Sequence, residues 1–314
     1  MGILVTGAAG FIGSSAIKEL LKENKDIVGI DNLNDYYNPA FKKSNIKDLK
    51  IKFYEENIRN FEKLDAIFKN NKINEIIHLA AMVGVRTSIE NPFLYEDVNV
   101  KGTLNILELA KKHKIKKVVF ASSSSVYGNR DKVPFSEDDA TNSQISPYAV
   151  TKKAGELLCH NYSALYGISC TCLRFFTVYG PCGRPDMAPY KFVDRITNGK
   201  EIDVFGDGTT KRDYTFISDV VAGIKKSLEL ENGYEIINLG CGNPVMLKDF
   251  IEVIEKALGK SAKISRKEKQ QGDVDLTYAD ISKAKKLLGY NPKIKIEDGI
   301  RIFCDWYMKN RFGR

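Results

Sequence analysis

The chain has 314 residues, with 48 basic and 40 acidic side chains and a formal charge of +8 at pH 7. Hydrophobic residues make up 43% and charged residues 28%, a balance typical of a globular protein with a full core, and the dispersed lysines argue against nucleic acid as a partner. No apolar run reaches the ~20 residues of a membrane span and no signal peptide is recognisable, so we expect a cytoplasmic protein without membrane partners.

The amino-terminal strand, predicted at residues 3–5, runs into the glycine-rich turn Gly7-Ala8-Ala9-Gly10-Phe11-Ile12-Gly13 and then into a helical pattern. Glycines let the backbone turn sharply and approach a pyrophosphate at the positive end of the following helix. A second predicted strand, residues 27–30, ends at Asp31, where a carboxylate can accept from an adenosine ribose and repel a 2′-phosphate. The pattern favours NAD over NADP. A simple turn residue beside Asn32 is the alternative for Asp31.

Strands and helices then alternate, which predicts an α/β fold with a Rossmann-like, doubly wound parallel sheet. Strands are predicted at residues 51–54 and 75–79, with a helix at 61–70 between them. The residues that follow these strands are placed to meet the cofactor, and a helix from Asp97 to His113 adds one more candidate. These predicted cofactor contacts are Asn57, Ile58, Leu79, Ala80, Ala81 and Asn99.

The stretch from Ser122 to Lys152 contains the candidate catalytic residues. Its serines follow the apolar run of residues 118–121, which places Ser123 at the carboxyl end of a buried strand. Ser146 before a proline predicts a helix start, so Tyr148 and Lys152 fall one turn apart on one face. A neighbouring ammonium and a cofactor cation favour the phenolate, which makes a Ser-Tyr-Lys proton relay plausible. The alternative is an ordinary helical pair beside a serine loop.

A strand over 169–176 brings Thr177 to the same sheet edge as the serines, and after residue 183 the periodicity lapses. We predict a hairpin-like turn at 205–214, and then a helix over 220–230 and a strand over 235–238 that return to the main sheet. The densest basic run, Lys263 to Lys269, is predicted to be a solvated loop.

Two domains are predicted from this order of elements. Residues 1–176, with 214–240 returning to them, form an NAD-binding domain. Residues 177–213 and 241–314 form a smaller C-terminal α/β domain that caps it and binds substrate. Helices are predicted in the cap at 247–258, after Asp280, and at 297–308.

The cysteines and histidines give little sign of metal or disulfide chemistry. The six cysteines form no C-x-x-C pair, and the chain has only three histidines. We therefore expect reduced, mostly buried thiols and no metal site.

These motifs resemble the extended short-chain dehydrogenase/reductases of the nucleotide-sugar epimerase and dehydratase kind along essentially the whole chain. The spacing of Gly7, Gly10 and Gly13 is that of the family, and Ser123, Tyr148 and Lys152 fall on its catalytic positions. Within the family, the similarity is greatest to UDP-glucuronate 4-epimerases. It is carried by residues 31–37, 122–128, 174–181 and 183–187.

The resemblance implies NAD-dependent 4-epimerisation of a UDP-sugar, most of all UDP-glucuronate to UDP-galacturonate, through a transient 4-keto sugar. Related dehydratases carry an Asp-Glu pair, and related decarboxylases a Glu, where this chain has Ser124 and Ser125. Acidic groups there would repel a glucuronate carboxylate, whereas the hydroxyls of Ser124, Ser125 and Thr177 can donate to it. Arg184 can add a charge-assisted contact to a carboxylate or phosphate.

The resemblance also implies contacts to the rest of the substrate. Arg212 matches a diphosphate-binding arginine, and Arg86 is a candidate for the sugar or phosphate, with a surface salt bridge as the alternative for both. Asp273 is a candidate for the uridine ribose or, alternatively, a helix cap. Gln270 and Gln271 replace an arginine found in some relatives, which leaves sugar preference open.

Helices 97–113 and 148–165 resemble those that pair in homodimers of the family. Two other functions stay open on the sequence. One is a UDP-glucose or UDP-N-acetylglucosamine 4-epimerase with the same relay. The other is a non-catalytic NAD(H)-binding regulator.

Overall fold

The computed structural model describes residues 2–231, 233–268 and 272–310. Gln270 and Gln271 lie outside the described residues. The strands are, in chain order, β1 (Gly2–Thr6), β2 (Asp26–Asp31), β3 (Lys52–Glu55), β4 (Glu75–His78), β5 (Lys117–Ser123), β6 (Ser169–Phe175), β7 (Thr177–Tyr179), β8 (Glu201–Phe205), β9 (Lys211–Phe216), β10 (Tyr234–Leu239), β11 (Pro244–Met246) and β12 (Lys263–Lys267). The α-helices are α1 (Phe11–Leu21), α2 (Pro39–Ile46), α3 (Phe61–Asn70), α4 (Val85–Glu90), α5 (Pro92–Tyr95), α6 (Gly102–Lys112), α7 (Pro147–Tyr166), α8 (Ala188–Thr197), α9 (Ile217–Ser227), α10 (Leu247–Leu258), α11 (Ser282–Leu288) and α12 (Ile296–Lys309).

The main sheet is parallel and, within the described residues, has seven strands in the order β3-β2-β1-β4-β5-β6-β10. The strand order reverses between β1 and β4, the position where doubly wound sheets bind their ligands. The predicted Rossmann-like fold and the return of the chain to the main sheet at residues 234–239 are confirmed.

Alternating side chains of β1 show how the sheet is covered on both faces. Ile3 and Val5 pack in a core with residues of α1, α9 and α11. Leu4 packs in the opposite core with residues of α3, α6 and α7. Because both of its faces are buried, β1 is almost continuously apolar, and its polar residue Thr6 lies at the carboxyl end.

Smaller sheets stand beside the carboxyl edge of the main sheet. β7 pairs in parallel with β9, which pairs antiparallel with β11, and β8 pairs in parallel with β12. The rings of Tyr214 and Phe250 stack there, with centroids 4.1 Å apart. The division of the chain into an NAD-binding and a substrate-binding domain stays a prediction.

Several predicted elements were wrong in detail. The turn at 205–214 is not a hairpin, because β8 and β9 pair with strands of different sheets. The basic run is not a loop, because Lys263–Lys267 pairs along β8 and keeps its charged side chains in solvent. The helix predicted from Asp97 is a π-helical turn, Glu96–Lys101, followed by α6. Helix α9 begins at Ile217, three residues before the predicted start.

The six cysteines are free thiols, and four of them are buried: Cys159, Cys170, Cys172 and Cys304. Within the described residues, no group of three or more His, Cys, Asp or Glu side chains is arranged to hold a metal ion. In the same part of the chain, no helix combines the length and the apolar character needed to cross a bilayer.

Candidate active site

A cavity of about 1420 Å³ opens at the carboxyl ends of the main-sheet strands and extends to the smaller sheets. It brings together every predicted site residue except Asn99. Those lining it are Gly7, Gly10, Phe11, Ile12, Gly13, Asp31, Asn32, Asn57, Ile58, Leu79, Ala80, Ala81, Arg86, Ser123, Ser124, Ser125, Tyr148, Lys152, Thr177, Arg184, Arg212 and Asp273.

Two glycines of the turn between β1 and α1 lie where the chain's own backbone leaves no room for a side chain. Gly7 has a φ of +69°, and an added Cβ would lie 2.8 Å from the backbone nitrogen of Ala80. At Gly13 an added Cβ would lie 2.1 Å from the Gly7 carbonyl oxygen. Among the described residues no side chain caps α1 at Gly10, so its first turn presents uncapped amides at the cavity wall. This arrangement fits a dinucleotide pyrophosphate.

Asp31 is held at the end of β2 by backbone amides. Its Oδ2 accepts from the Ala9 amide at 3.1 Å, and its Oδ1 accepts from the Leu33 amide at 2.9 Å. Burial raises the pKa of Asp31, while these hydrogen bonds and the nearby Lys42 ammonium oppose that rise. One amide of the glycine turn and one of the loop after β2 therefore orient the carboxylate, which lies at the cavity wall where it can meet a ribose.

Lys42 is a cavity residue that the sequence analysis missed. Its Nζ donates to the backbone oxygen of Asn34 at 2.8 Å and to the Asn34 Oδ1 at 2.5 Å, and it lies 4.9 Å from the centroid of the Tyr37 ring. A lysine in a short helix is usually solvated, so composition gives no sign that this one is buried. The one local signal was the cap by Asn38, which marks the start of α2 but does not indicate that Lys42 is buried.

Asn99 is the one predicted site residue that is not part of the cavity lining. Its Oδ1 accepts from the Met82 amide at 2.8 Å, and its Nδ2 donates to the Met82 carbonyl at 3.0 Å and to Thr151 Oγ1 at 3.0 Å. These bonds satisfy the buried amide side chain. Asn99 therefore ties the loop after β4 to α7, and its predicted cofactor contact stays a prediction.

The start of α7 follows the prediction. Ser146 caps it by accepting from the Ala149 amide at 3.2 Å, and Pro147 occupies the first turn. Lys152 donates to the Ala121 carbonyl of β5 at 2.7 Å, and its Nζ lies 6.0 Å from the centroid of the Tyr148 ring. The predicted juxtaposition of the two side chains on one helix face is confirmed.

The surroundings of Tyr148 act on its pKa in opposite directions. Burial raises the pKa of Tyr148, and the groups that lower it are Ser123, through a hydrogen bond, and Arg184, through its charge. The predicted effect of the Lys152 ammonium on Tyr148 stays a prediction. Burial lowers the pKa of Lys152 itself to about 8.

Arg184 is anchored within the cavity by a carboxylate of its own segment. Its Nε donates to Asp186 Oδ1 at 3.0 Å and its Nη2 to Asp186 Oδ2, which makes a bidentate pair. The guanidinium carbon lies 5.6 Å from the centroid of the Tyr36 ring. Ser123 Oγ donates to Ser125 Oγ at 3.1 Å. The cavity thus presents hydroxyls and a guanidinium beside Tyr148.

The remaining candidate residues lie on the smaller-sheet side. Arg86 and Asp273 pair with each other, Nη2 to Oδ2, at 2.8 Å, and the Arg86 guanidinium lies 4.7 Å from the centroid of the Phe205 ring. Arg212 Nη1 donates to the Lys211 carbonyl at 2.9 Å. The salt-bridge alternative for Arg86 therefore describes the structure, and its ligand role stays a prediction, as do those of Asp273 and Arg212.

The sequence analysis also missed a buried polar cluster behind β5, the strand that ends at Ser123 and is called the catalytic strand below. Glu156 of α7 accepts from Arg174 of β6 at 2.8 and 2.9 Å, and from the Ser122 hydroxyl at 2.6 Å. The Arg174 guanidinium lies 4.7 Å from the centroid of the Tyr127 ring. The cluster joins β5, β6 and α7, and so fixes the strand end that carries Ser123 relative to the helix that carries Tyr148.

Comparisons with known proteins agree with this geometry. A family model described as GDP-mannose 4,6 dehydratase matches residues 4–303. A UDP-glucuronate 4-epimerase of Thermodesulfobacterium geofontis is 48% identical over 98% of this chain and 96% of its own length.

Solved structures are also similar to this chain over nearly its whole length. The crystal structure of a UDP-glucuronic acid 4-epimerase from Bacillus cereus, in complex with UDP-glucuronic acid and NAD, has a TM-score of 0.93 at 39% identity. That of a UDP-glucose 4-epimerase from Thermotoga maritima, with UDP-glucose, has a TM-score of 0.93 at 31% identity. Each comparison covers 98% of this chain and 99% of the other. The chain belongs to the GDP-mannose 4,6 dehydratase family of extended short-chain dehydrogenase/reductases, as its motifs predicted.

Proposed function

We propose that this protein is an NAD-dependent UDP-sugar 4-epimerase that interconverts UDP-glucuronate and UDP-galacturonate through a transient 4-keto sugar. One observation carries the choice of sugar: the predicted proton-transfer residues and Arg184 line the same cavity. The similarity to UDP-glucuronate 4-epimerases over nearly the full chain supports the reaction.

The residues on the main-sheet side of the cavity fit NAD. The turn from Gly7 to Gly13 accepts a pyrophosphate, and Asp31 offers its carboxylate to the adenosine ribose. The same carboxylate disfavours a 2′-phosphate by charge repulsion. When bound, NAD supplies the acceptor and later the donor of a hydride at C4 of the sugar.

Tyr148 and Ser123 handle the proton of the sugar 4-hydroxyl. As a phenolate, Tyr148 takes that proton directly or through Ser123 Oγ, and it returns the proton after the ring has turned over. Burial alone disfavours the phenolate, so the Ser123 hydrogen bond and the Arg184 charge, which both lower the pKa of Tyr148, promote the reactive form. Lys152 keeps a cationic group within 6.0 Å of the ring centroid.

The sugar carboxylate is held by Ser124, Ser125, Thr177 and Arg184 in this proposal. A 4-keto glucuronate is a β-keto acid, which loses CO₂ readily when the C5–C6 bond stands perpendicular to the plane of the C4 carbonyl. Donors that hold the carboxylate keep this bond away from that orientation and so protect the intermediate. Arg212 and Arg86 contact the diphosphate, and Asp273 contacts the uridine ribose after leaving Arg86.

A neutral substrate, UDP-glucose or UDP-N-acetylglucosamine, is the second candidate. The similarity to the Thermotoga maritima UDP-glucose 4-epimerase favours it, because the same relay can act on a neutral hexose. A non-catalytic NAD(H)-binding regulator ranks below both, since Tyr148 and Lys152 are both present in the cavity.

We also propose a homodimer in the cytoplasm. Several large apolar side chains project from α5 and α7, and Phe93 is 86% exposed. Val150, Leu157 and Leu165 recur at helical spacing along α7 and are exposed as well. A second copy of the chain that covers this face would form a bundle of helices.

The direct experiment is incubation of the purified protein with UDP-glucuronate, without added NAD, followed by separation of the products. We expect UDP-galacturonate and little UDP-pentose, because NAD is regenerated in each turnover. UDP-glucose and UDP-N-acetylglucosamine are tested in parallel. Faster turnover of either neutral sugar would replace the proposed substrate, and tight NAD binding without turnover of any sugar would favour the regulator.

A further inference from the structure

The guanidinium of Arg184 is already paired with a carboxylate of the same chain, that of Asp186. Asp186 receives Nε and Nη2 of the guanidinium, the same bidentate edge that a sugar carboxylate would use. Pro185 lies between the two residues and fixes its own φ, and the Met187 amide donates to the Arg184 carbonyl at 3.2 Å. The chain therefore presents the two side chains to each other in a short turn, ready paired.

The pair lies at the cavity wall and not in the core. The side chains of Arg184 and Asp186 are 17% and 27% exposed, and both line the cavity. Asp186 can therefore be rehydrated if it releases the guanidinium, which keeps the cost of opening the pair low. By contrast, Arg184 cannot stay unpaired without losing charge-assisted bonds in a partly buried place.

We propose that Asp186 is the exchange partner of Arg184: it gives the guanidinium up to the carboxylate of an entering sugar acid and takes it back when the ring turns over and when product leaves. The inference rests on the proposed function and deepens it. An epimerase must bind the carboxylate firmly enough to protect the keto acid, yet release it so that the ring can present its other face. Because Asp186 lies two residues from Arg184, each release of the sugar carboxylate replaces one carboxylate on the guanidinium with another.

A neutral hexose does not take part in this exchange. Its hydroxyls are neutral acceptors, which form weaker bonds to a guanidinium than a carboxylate does. It therefore leaves Arg184 with Asp186, and its affinity does not depend on the charge of Asp186. This difference between acid and neutral sugars distinguishes exchange from a purely structural role of the pair.

The test is the Asp186→Asn variant, loaded with NAD, in a Tyr148→Phe background that blocks turnover for binding measurements. We expect the Kd for UDP-glucuronate to fall about tenfold, because an amide competes less well than a carboxylate for Arg184. The Kd for UDP-glucose should change less than twofold. With Tyr148 intact, kcat and KM for UDP-glucuronate should fall together, since release becomes slower. Weaker or unchanged binding of UDP-glucuronate would overturn the proposal.

Two further variants make the result specific. In an Arg184→Gln background, Asp186→Asn should leave the affinity for UDP-glucuronate unchanged, because the residue to be exchanged is gone. Equal tightening in that background would show that Asp186 simply repels the substrate, which also overturns the exchange. Asp186→Ser gives the same readout if the asparagine variant folds poorly. If the wild-type protein does not turn over UDP-glucuronate but this binding pattern holds, the proposed reaction fails and the exchange stands.

Discussion

Arg174 and Arg184 are each held by both oxygens of one carboxylate, but the two pairs lie in different surroundings. Arg174 and Glu156 are 1% and 0% exposed and lie behind the catalytic strand. Arg184 and Asp186 are 17% and 27% exposed and line the cavity in front of it. We therefore assign different roles to the same bidentate pairing. Arg174 and Glu156 form a permanent structural pair, here called the brace, where water is excluded. Arg184 and Asp186 form an exchangeable pair where water and substrate can enter.

Catalysis is expected to depend most on Tyr148. Tyr148→Phe removes the hydroxyl that carries the proton, so kcat for UDP-glucuronate should fall by about 10²–10⁴. The fold should persist, because phenylalanine fills nearly the same volume. Turnover of UDP-glucuronate and near-ultraviolet circular dichroism check the two statements. Tyr166→Phe, on the exposed end of α7, is the matched control. Activity within tenfold of wild type would remove Tyr148 from the relay.

The brace should be far more sensitive to loss of charge than the exchangeable pair. Glu156→Gln leaves the Arg174 guanidinium buried without its counter-charge, which should lower the free energy of unfolding by about 3–5 kcal/mol. Asp186→Asn should lower it by less than about 1 kcal/mol, because its pair is partly hydrated. Urea unfolding of both variants measures the difference. Similar losses in the two variants would mean that burial does not separate the roles of the pairs.

The smallest effect is expected at the edge of the carboxylate site, at Thr177. Thr177→Ala removes one donor to the sugar carboxylate and should raise the fraction of decarboxylated UDP-pentose by a few-fold, while epimerisation continues. Product separation after incubation with UDP-glucuronate gives that fraction. Thr209→Ala, in an exposed turn outside the cavity lining, is the control. Slower epimerisation without more pentose would exclude a protective role for Thr177.

Local signals in the sequence predicted well those parts of the candidate site that are built from short segments of the chain. The glycine turn, Asp31 and the Ser146 cap each depend on neighbours within a few residues, so their spacing is informative. The bounds of Leu247–Leu258 also matched the structure, because that helix has a regular apolar stripe.

Features that depend on distant parts of the chain were missed. Glu156 and Arg174 meet only because α7 packs on β6, and neither residue stands out in its own segment. Lys42 is buried by the loop that precedes its helix. Pairing of β8 with β12 was not foreseen, since a short strand rich in lysine has the composition of a loop. Burial and strand pairing of this kind are decided by tertiary contacts, which one sequence does not display.

The most direct test of the proposed reaction is incubation with UDP-glucuronate that carries deuterium at C4 of the sugar. Transient oxidation and return of the same hydride predicts UDP-galacturonate with the deuterium still at C4, formed without added NAD. Galacturonate that has lost the label to solvent, or no galacturonate at all from a folded, NAD-containing protein, would contradict it.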